Sequence, residues 1–381
     1  MPQRIKAIEY IRGLAMLGVI GIHTGAWSLS NPDANIHLFA MLEIASRFSV
    51  PIFFFISAFG IFYHENSGGG KASGIPFGRF RSIFIPYLCW SLLYMLNYSR
   101  LYGDTTIWQL PKLAEYLLFG LASYQLYFLV ILLAFLLCLP VLRPLAAWLA
   151  QKPLPRLGGL LLLQILFNTY SSYWLKPATE IYWLRLLLDY RLNYLPLHYL
   201  WIFMLGAVLA LRYPQWQSVC QRLRRPLAAG FWGSLLLMLG SYYYVVLNQG
   251  FSLAQAAFTI HQLSPAGVIY TGAAAFYFSY RLALPQAPIR ERLLSSLARH
   301  SFFIYLIHPW VMSLLGDLLT SRQWLMTPWV TLLFFIATTF FSLLLAYAAQ
   351  GLSRVLPVSS LLLTGKMLSR KKLSASSARS L

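Results

Sequence analysis

Long apolar stretches separated by short polar segments dominate the pattern along this chain. Each stretch holds roughly 18 to 22 residues, about the length that an α-helix needs to cross the ~30 Å hydrocarbon core of a bilayer. The pattern therefore predicts an all-α polytopic integral membrane protein with about ten transmembrane helices. The predicted spans cover residues 9–29, 43–63, 82–99, 120–142, 157–174, 195–212, 228–248, 265–283, 300–318 and 328–350.

Composition supports the membrane assignment. Hydrophobic residues make up 59% of the 381 residues and charged residues only 10%, whereas soluble domains carry about 25% charged residues. We expect one membrane domain over residues 1–350, followed by a basic cytoplasmic tail over 351–381 with a composition typical of disorder. The first span carries three ionisable residues and no clear cleavage site, so we interpret it as a retained helix rather than a signal peptide.

The net charge of +20 arises from 30 Lys and Arg against 10 Asp and Glu. Basic chains often bind nucleic acid, but here the basic residues concentrate in segments on the side that holds the N-terminus, which is a topology signal. The positive-inside rule then places both termini in the cytoplasm. We expect a multi-pass protein of the plasma (inner) membrane, with the lipid bilayer as a partner and no nucleic acid.

The first predicted span carries ionisable residues that a purely structural membrane helix does not need, since each costs about 3 kcal/mol at the bilayer centre. Glu9 and Arg12 are three residues apart and share a helix face. Arg12 and His23 nearly share a face as well, with His23 about 16 Å deeper. This stripe suits a donor that keeps anionic phosphates at the surface and reaches inward with its reactive group. The structural alternatives are a snorkelling Arg12 and a His23 that hydrogen-bonds between helices.

Two later segments carry further candidates. Arg79 and Arg81 lie where the third span begins, and either anchor the helix by the positive-inside rule or clamp phosphate with their guanidinium groups. In the ninth span, Ser301, Tyr305 and His308 recur at helical spacing, and the alternative for Ser301 and Tyr305 is hydrogen bonding between helices. No histidine, cysteine or acidic residues have a spacing typical of metal ligands, so we expect no metal site.

These residues form an ordered set of motifs that resembles the acyltransferase-3 family of membrane O-acyltransferases. The opening Glu9-x-x-Arg12-Gly13-Leu14 with His23 is similar to the start of that family. The later matching segments, in the order that the family shows, are Val50–Phe59, Arg79–Tyr87, Tyr124–Phe128 and Ser301–Pro309. The resemblance extends from about residue 4 to residue 350.

The chain departs from the family pattern at four positions. Glu9 replaces the usual Asp, Ala58 replaces a Gly, and Gln125 occupies a place often held by His. The family's Arg-x-x-Arg would require a basic residue at Ser82, and Arg81 is the candidate substitute for it.

The resemblance implies an enzyme that transfers an acyl group, usually acetyl, from cytoplasmic acyl-CoA to a hydroxyl of a surface or exported polysaccharide. It implies acyl-CoA as a co-substrate, no permanently bound cofactor, and a partner that is a carbohydrate acceptor, with a glycan-synthesis complex or a homo-oligomer as further candidates. We assign His23 and Glu9 to catalysis. The acyl-CoA-binding candidates are Arg12, Arg79 and Arg81, and the candidates for an acceptor or supporting site are Ser301, Tyr305, His308 and Tyr124.

Two chemical routes through His23 remain open. It acts either as the general base toward a sugar hydroxyl or as a nucleophile that forms an acyl-imidazole. Two rival hypotheses are a glycan or acyl-anion transporter or flippase, in which the buried ionisable residues line a permeation path, and a non-catalytic partner in a glycan-synthesis complex. Release of CoA that depends on an acceptor separates the enzyme from both.

Overall fold

The computed structural model describes residues 5–29, 36–68 and 74–365 of the chain. These residues form α-helices joined by short turns, and no strand occurs among them. The helices are α1 Lys6–Leu29, α2 Ile36–Ser46, α3 Ser49–Asn66, α4 Phe77–Tyr102, α5 Leu110–Phe119, α6 Tyr127–Gln151, α7 Pro153–Thr169, α8 Tyr182–Asp189, α9 Arg191–Tyr194, α10 Leu200–Leu211, α11 Tyr213–Arg222, α12 Arg224–Gln249, α13 Leu253–Thr259, α14 Pro265–Arg281, α15 Pro288–Ser321, α16 Pro328–Val355 and α17 Pro357–Thr364.

Each of the ten predicted spans overlaps one or two of these helices, which confirms the all-α fold, and the span 43–63 is divided between α2 and α3. Five helical segments in the described part of the chain are long and apolar enough to cross a membrane, or six if the bent pair α10 and α11 counts as one span. The other predicted spans fall short for physical reasons. α7 and α14 have 17 residues each. α1 carries Glu9, Arg12 and His23 among its apolar residues, and the predicted span 82–99 of α4 contains serines, tyrosines, an asparagine and a proline. The count of ten membrane spans therefore stays a prediction.

Several helix boundaries differ from the predicted ones. The span predicted to begin at residue 300 is part of α15, which already begins at Pro288. The span predicted from 120 to 142 begins later, because Gly120 adopts a left-handed conformation with a φ of 69° and ends α5, and α6 starts only at Tyr127. Between the predicted third and fourth spans, the short helix α5 covers Leu110–Phe119. The segment 175–194 contains the short helices α8 and α9.

Two glycines let pairs of helices pack closely. α1 packs extensively against α15, and α3 packs extensively against α10. A side chain at Gly13 would collide with the Leu294 backbone carbonyl of α15, and one at Gly206 would collide with the Phe55 carbonyl of α3. The close contact between α1 and α15 positions the site, because these two helices carry most of the candidate residues.

The C-terminal part of the chain extends the bundle before the described residues end. The domain boundary predicted at residue 350 falls inside α16, which continues to Val355 and is followed by α17. α17 packs against α4 and ends at its C-cap residue, Gly365. Residues 366–381 of the predicted tail and residues 69–73 lie outside the described residues.

Candidate active site

One continuous helix, α1, holds the three candidates of the first motif. Arg12 and His23 are both partly buried in the bundle. Glu9 lies one turn before Arg12 and is also partly buried. Because α1 has no break, Glu9 and His23 are separated by about 21 Å along the helix axis. The structure therefore keeps Glu9 out of contact with His23.

A cavity of about 210 Å³ brings Arg12 together with Arg79. The two guanidinium groups come from different helices, α1 and α4. Polar groups of Ser57, Ser301 and Tyr305 also line the cavity, and the rest of its lining is aliphatic or aromatic. No carboxylate is among the described residues that line it. A cavity with two cations and no lining acid can accept an anionic ligand.

Gly60 of α3 helps to keep this cavity open. A Cβ at Gly60 would lie 4.0 Å from Nη2 of Arg79, and no other neighbour comes within that distance. The missing side chain therefore leaves room beside the guanidinium. The motif analysis did not single out Gly60 or Ser57, although Ser57 lies within the Val50–Phe59 motif.

Arg79 and Arg81 both lie on α4, but only Arg79 lines the cavity. Residues two positions apart on a helix point about 200° apart, so Arg81 faces away from the cavity and is exposed. It does not line the cavity. Ser82, which occupies the second place of the family's arginine pair, donates a hydrogen bond from its hydroxyl to the Arg79 carbonyl at 2.8 Å.

His23 and His308 form a pair inside the bundle. Their ring centroids are 5.4 Å apart and their planes differ by 25°. Tyr124 covers the pair, with its ring centroid 4.4 Å from that of His23 and 6.5 Å from that of His308. His308 is 0% exposed, whereas the Tyr124 side chain is 53% exposed. The pair is thus buried on the His308 side and lies next to an accessible tyrosine on the His23 side.

Tyr305 connects the cavity to the histidine pair. It lines the arginine cavity, and its ring centroid is 6.1 Å from that of His308. Its hydroxyl donates a hydrogen bond to the backbone carbonyl of Gln125, which fixes the ring between the two regions. On α15, Ser301 and Tyr305 thus lie at the cavity and His308 lies in the histidine pair.

The polypeptide around His308 is irregular because Pro309 has no backbone N–H. The proline leaves the Tyr305 carbonyl without its usual helical donor. The adjacent Leu306 carbonyl accepts a hydrogen bond from the Tyr94 hydroxyl at 2.7 Å. Nδ1 of His308 lies 3.1 Å from the Ile304 carbonyl of the same helix. These contacts orient the His308 ring within α15.

A second charged cluster lies near His23 and was missed by the motif analysis. Arg47 forms an ion pair with Glu43 one turn earlier, and it also donates to the Ala257 carbonyl at 3.0 Å and to Oε1 of Gln262 at 3.4 Å. Gln262 in turn donates to the hydroxyls of Tyr127 and Tyr199. We call these residues the Arg47 cluster. Glu43 and Arg47 are charged residues four apart at the start of a predicted span, and that signal was available in the sequence.

Metal ligands do not gather in the described ranges. Among residues 5–29, 36–68 and 74–365, no three His, Cys, Asp or Glu side chains come close enough to hold a metal ion.

A family model described as an acyltransferase domain matches residues 5–347. No curated protein and no solved structure matches the chain.

Proposed function

The chain belongs to the acyltransferase-3 family, and we propose that it transfers an acyl group from cytoplasmic acyl-CoA to a hydroxyl of a surface or exported glycan. The family makes the chain a membrane acyltransferase. The acyl-CoA donor, an acetyl group as its cargo and the polysaccharide acceptor are the finer parts of the proposal. The observation that carries it is the cavity shared by Arg12 and Arg79, which Tyr305 connects to the His23–His308 pair.

The donor is proposed to bind by its phosphates. Guanidinium groups bind phosphate oxygens through paired, charge-assisted hydrogen bonds. Arg12 and Arg79 approach one cavity from two helices, so both can contact one phosphorylated ligand. His23 lies about 16 Å further along α1 than Arg12. A long, thin donor with phosphates at one end and a thioester at the other matches that separation.

The chemical step is proposed to occur at His23, by one of two routes. In the first, a ring nitrogen of His23 removes the proton of the acceptor hydroxyl. The hydroxyl oxygen attacks the thioester carbon, the C–S bond breaks, and the CoA thiolate takes the proton from His23. In the second, His23 attacks the thioester itself, CoA leaves as the thiolate, and the acceptor hydroxyl then displaces the imidazole while its proton passes to the thiolate. The second route lets donor and acceptor approach from opposite sides.

Glu9 is proposed to act at the donor end of α1. Its axial separation of about 21 Å from His23 excludes direct proton exchange between the two side chains. Because Glu9 lies one turn before Arg12, its carboxylate would influence the electrostatic potential that the donor phosphates meet at Arg12. Ser301 and Tyr124 are proposed as supporting residues, Ser301 at the cavity and Tyr124 beside His23.

The proposal includes an orientation in the plasma membrane. We propose ten spans with both termini in the cytoplasm, on the basis of the basic residues near the N-terminus and in the tail. The Arg12 end of α1 then faces the cytoplasmic donor. Reporter fusions after Gly68 should be cytoplasmic and fusions at Asp189 external. Termini on opposite sides of the membrane would reject the ten-span arrangement.

The function can be tested with purified protein in detergent. The chain is incubated with acetyl-CoA and glycans extracted from cells that lack the gene, and free CoA is measured with a thiol reagent. We expect CoA release only when both substrates are present, together with an added acetyl mass on the glycan. Glycan movement across vesicles without CoA release would instead favour the transporter. A purified chain that is inactive with every extract would favour the non-catalytic partner.

A further inference from the structure

A nitrogen of His308 lies inside the bundle without a hydrogen-bond partner. The side chain is 0% exposed, and Nε2 contacts no donor or acceptor in the part of the chain that the structure describes. Leaving a buried polar atom unpaired costs about 1 to 3 kcal/mol. An aliphatic residue of similar size would avoid this cost, so the histidine requires an explanation other than packing.

The other ring nitrogen fixes the protonation of the ring. Nδ1 lies 3.1 Å from the Ile304 carbonyl. A carbonyl oxygen only accepts hydrogen bonds, so Nδ1 must carry the proton and donate it. In the neutral imidazole, Nε2 then has a free lone pair and is an acceptor. Because Nδ1 bonds to the backbone of its own helix, Nε2 lies on the side of the ring away from that carbonyl.

His23 is the nearest ring to His308 that can donate a proton to this lone pair. The centroids of His23, Tyr305 and Tyr124 lie 5.4, 6.1 and 6.5 Å from that of His308. The hydroxyl of Tyr305 already donates to the Gln125 carbonyl. The centroid separation of 5.4 Å is one at which two imidazole rings turned edge to edge bring one nitrogen of each within hydrogen-bond distance.

We propose that His308 is the positioning residue for His23: its Nε2 accepts the ring N–H of His23 and holds that ring in the reactive tautomer and orientation. This inference rests on the proposed acyl transfer. With one ring nitrogen of His23 donating to His308, the other nitrogen keeps its lone pair for the substrate. When that nitrogen removes a proton from the acceptor hydroxyl, the hydrogen bond to Nε2 strengthens and spreads the positive charge over both rings. The proton then passes to the CoA thiolate as the C–S bond breaks, so both rings return to neutrality.

A neutral acceptor suits this position better than a carboxylate. In many hydrolases a carboxylate orients the catalytic histidine, but an unpaired carboxylate in the membrane interior is costly. An imidazole offers the same lone pair without a charge. The positive charge of Arg47 also acts on His23 and opposes a second positive charge there. A nearby hydrogen-bond acceptor would therefore help to stabilise protonated His23.

The test compares two substitutions at His308. In His308→Leu the acceptor is lost, and we expect kcat for acyl transfer to fall about a hundredfold or more while KM for acetyl-CoA stays unchanged. In His308→Gln the amide oxygen can still accept a hydrogen bond, and we expect kcat to stay within about tenfold of the wild type. His300→Leu is the matched control, because His300 is a buried histidine of the same helix whose ring centroid lies 4.6 Å from that of Tyr347, and it should leave kcat unchanged.

A second measurement does not depend on turnover. Diethyl pyrocarbonate acylates neutral imidazoles, and mass spectrometry locates the modified residue. We expect His23 to be modified more slowly in His308→Leu than in the wild type or in His300→Leu. Thermal unfolding of His308→Leu in detergent is measured beside the wild type and His300→Leu, so that a loss of kcat at matched stability reports on positioning rather than on folding.

The outcomes separate this inference from the proposed function. Full activity in His308→Leu, or an unchanged rate of His23 modification in that variant, would overturn the positioning role. A loss of kcat in His308→Gln as large as in His308→Leu would also overturn it. A wild-type chain that releases no CoA with any glycan extract would reject the proposed function, whereas the modification rate of His23 would still report on the pairing.

Discussion

Two regions of this bundle hold arginines, and they differ in the groups that surround each guanidinium. Arg12 and Arg79 line an open cavity that no described carboxylate lines. Arg47 is paired with Glu43 and hydrogen-bonded to Ala257 and Gln262, and none of the cavities described above includes it. The second region already holds a carboxylate against its arginine, whereas the proposed donor phosphates would bind in the first. The surroundings of an arginine in the membrane, rather than its presence, therefore indicate a binding site.

The largest expected effect comes from breaking the Arg47 cluster. Arg47→Met leaves Glu43 as an unpaired acid that is only 5% exposed. Removing one partner of a buried ion pair costs about 3 to 5 kcal/mol, and we expect a loss of that size in denaturant unfolding in detergent. The double variant Glu43→Leu with Arg47→Met should recover most of this loss, since neither charge remains.

The same variant tests the comparison between the two regions. The fraction of Arg47→Met that folds should bind CoA with nearly wild-type affinity. An affinity loss as large as that of an Arg79 variant would show that the two regions are not distinct.

The next effect in size concerns the cavity. We expect Arg79→Ala and Arg12→Ala each to weaken CoA binding about ten- to a hundredfold, since a hydrogen bond to a charged group contributes about 1.5 to 3 kcal/mol. Isothermal titration calorimetry with CoA measures the affinity of each variant. Arg81→Ala is the matched control, because Arg81 lies two residues from Arg79 but outside the cavity. Equal affinities for all three variants and the wild type would reject the phosphate site.

Arg12 needs a further control for folding, because Glu9 lies one turn away on the same helix. Its removal changes the charge around that acid and can lower stability. Comparison of Arg12→Ala with Arg12→Lys, at matched thermal stability, separates a binding effect from a folding effect. The lysine keeps the charge but cannot form the paired contacts of a guanidinium.

The smallest effect tests the shape of the cavity. A side chain at Gly60 would enter open space beside Arg79, so Gly60→Val should fold normally and still reduce the room for a ligand. We expect CoA affinity to fall roughly fivefold, which corresponds to about 1 kcal/mol at the lower end of overpacking costs. Gly233→Val on α12 is the control, since a Cβ there meets no neighbour. An unchanged affinity in Gly60→Val would place the donor elsewhere.

The sequence predicted the helices well because their signal is local. An apolar stretch of about 20 residues specifies a helix whatever it packs against, and each predicted span overlaps at least one helix. The boundaries were harder to predict because they depend on single residues such as Gly120, which ends α5 with a positive φ. The early start of α15 had no apolar signal, since its first turns are polar.

The site was only partly predictable, because its key contacts join distant parts of the chain. The spacing of Arg12 and His23 was visible on one helix, but the pairing of His23 with His308 depends on the packing of α1 against α15. The contacts of Arg47 could not be predicted from the sequence, because its partners Ala257 and Gln262 lie about 210 residues away in the chain. The opposite faces of Arg79 and Arg81, in contrast, follow from helix geometry alone.

The most direct test of the account is acyl transfer by the His23→Gln variant. Transfer of labelled acetyl from acetyl-CoA to the extracted glycan is measured in membranes and normalised to the amount of protein. Glutamine keeps a hydrogen-bonding side chain but cannot take up a proton or form a stable acyl intermediate, so we expect the rate to fall about a hundred- to ten-thousandfold with CoA binding intact. Substantial transfer by His23→Gln would contradict the account and remove His23 from the chemistry.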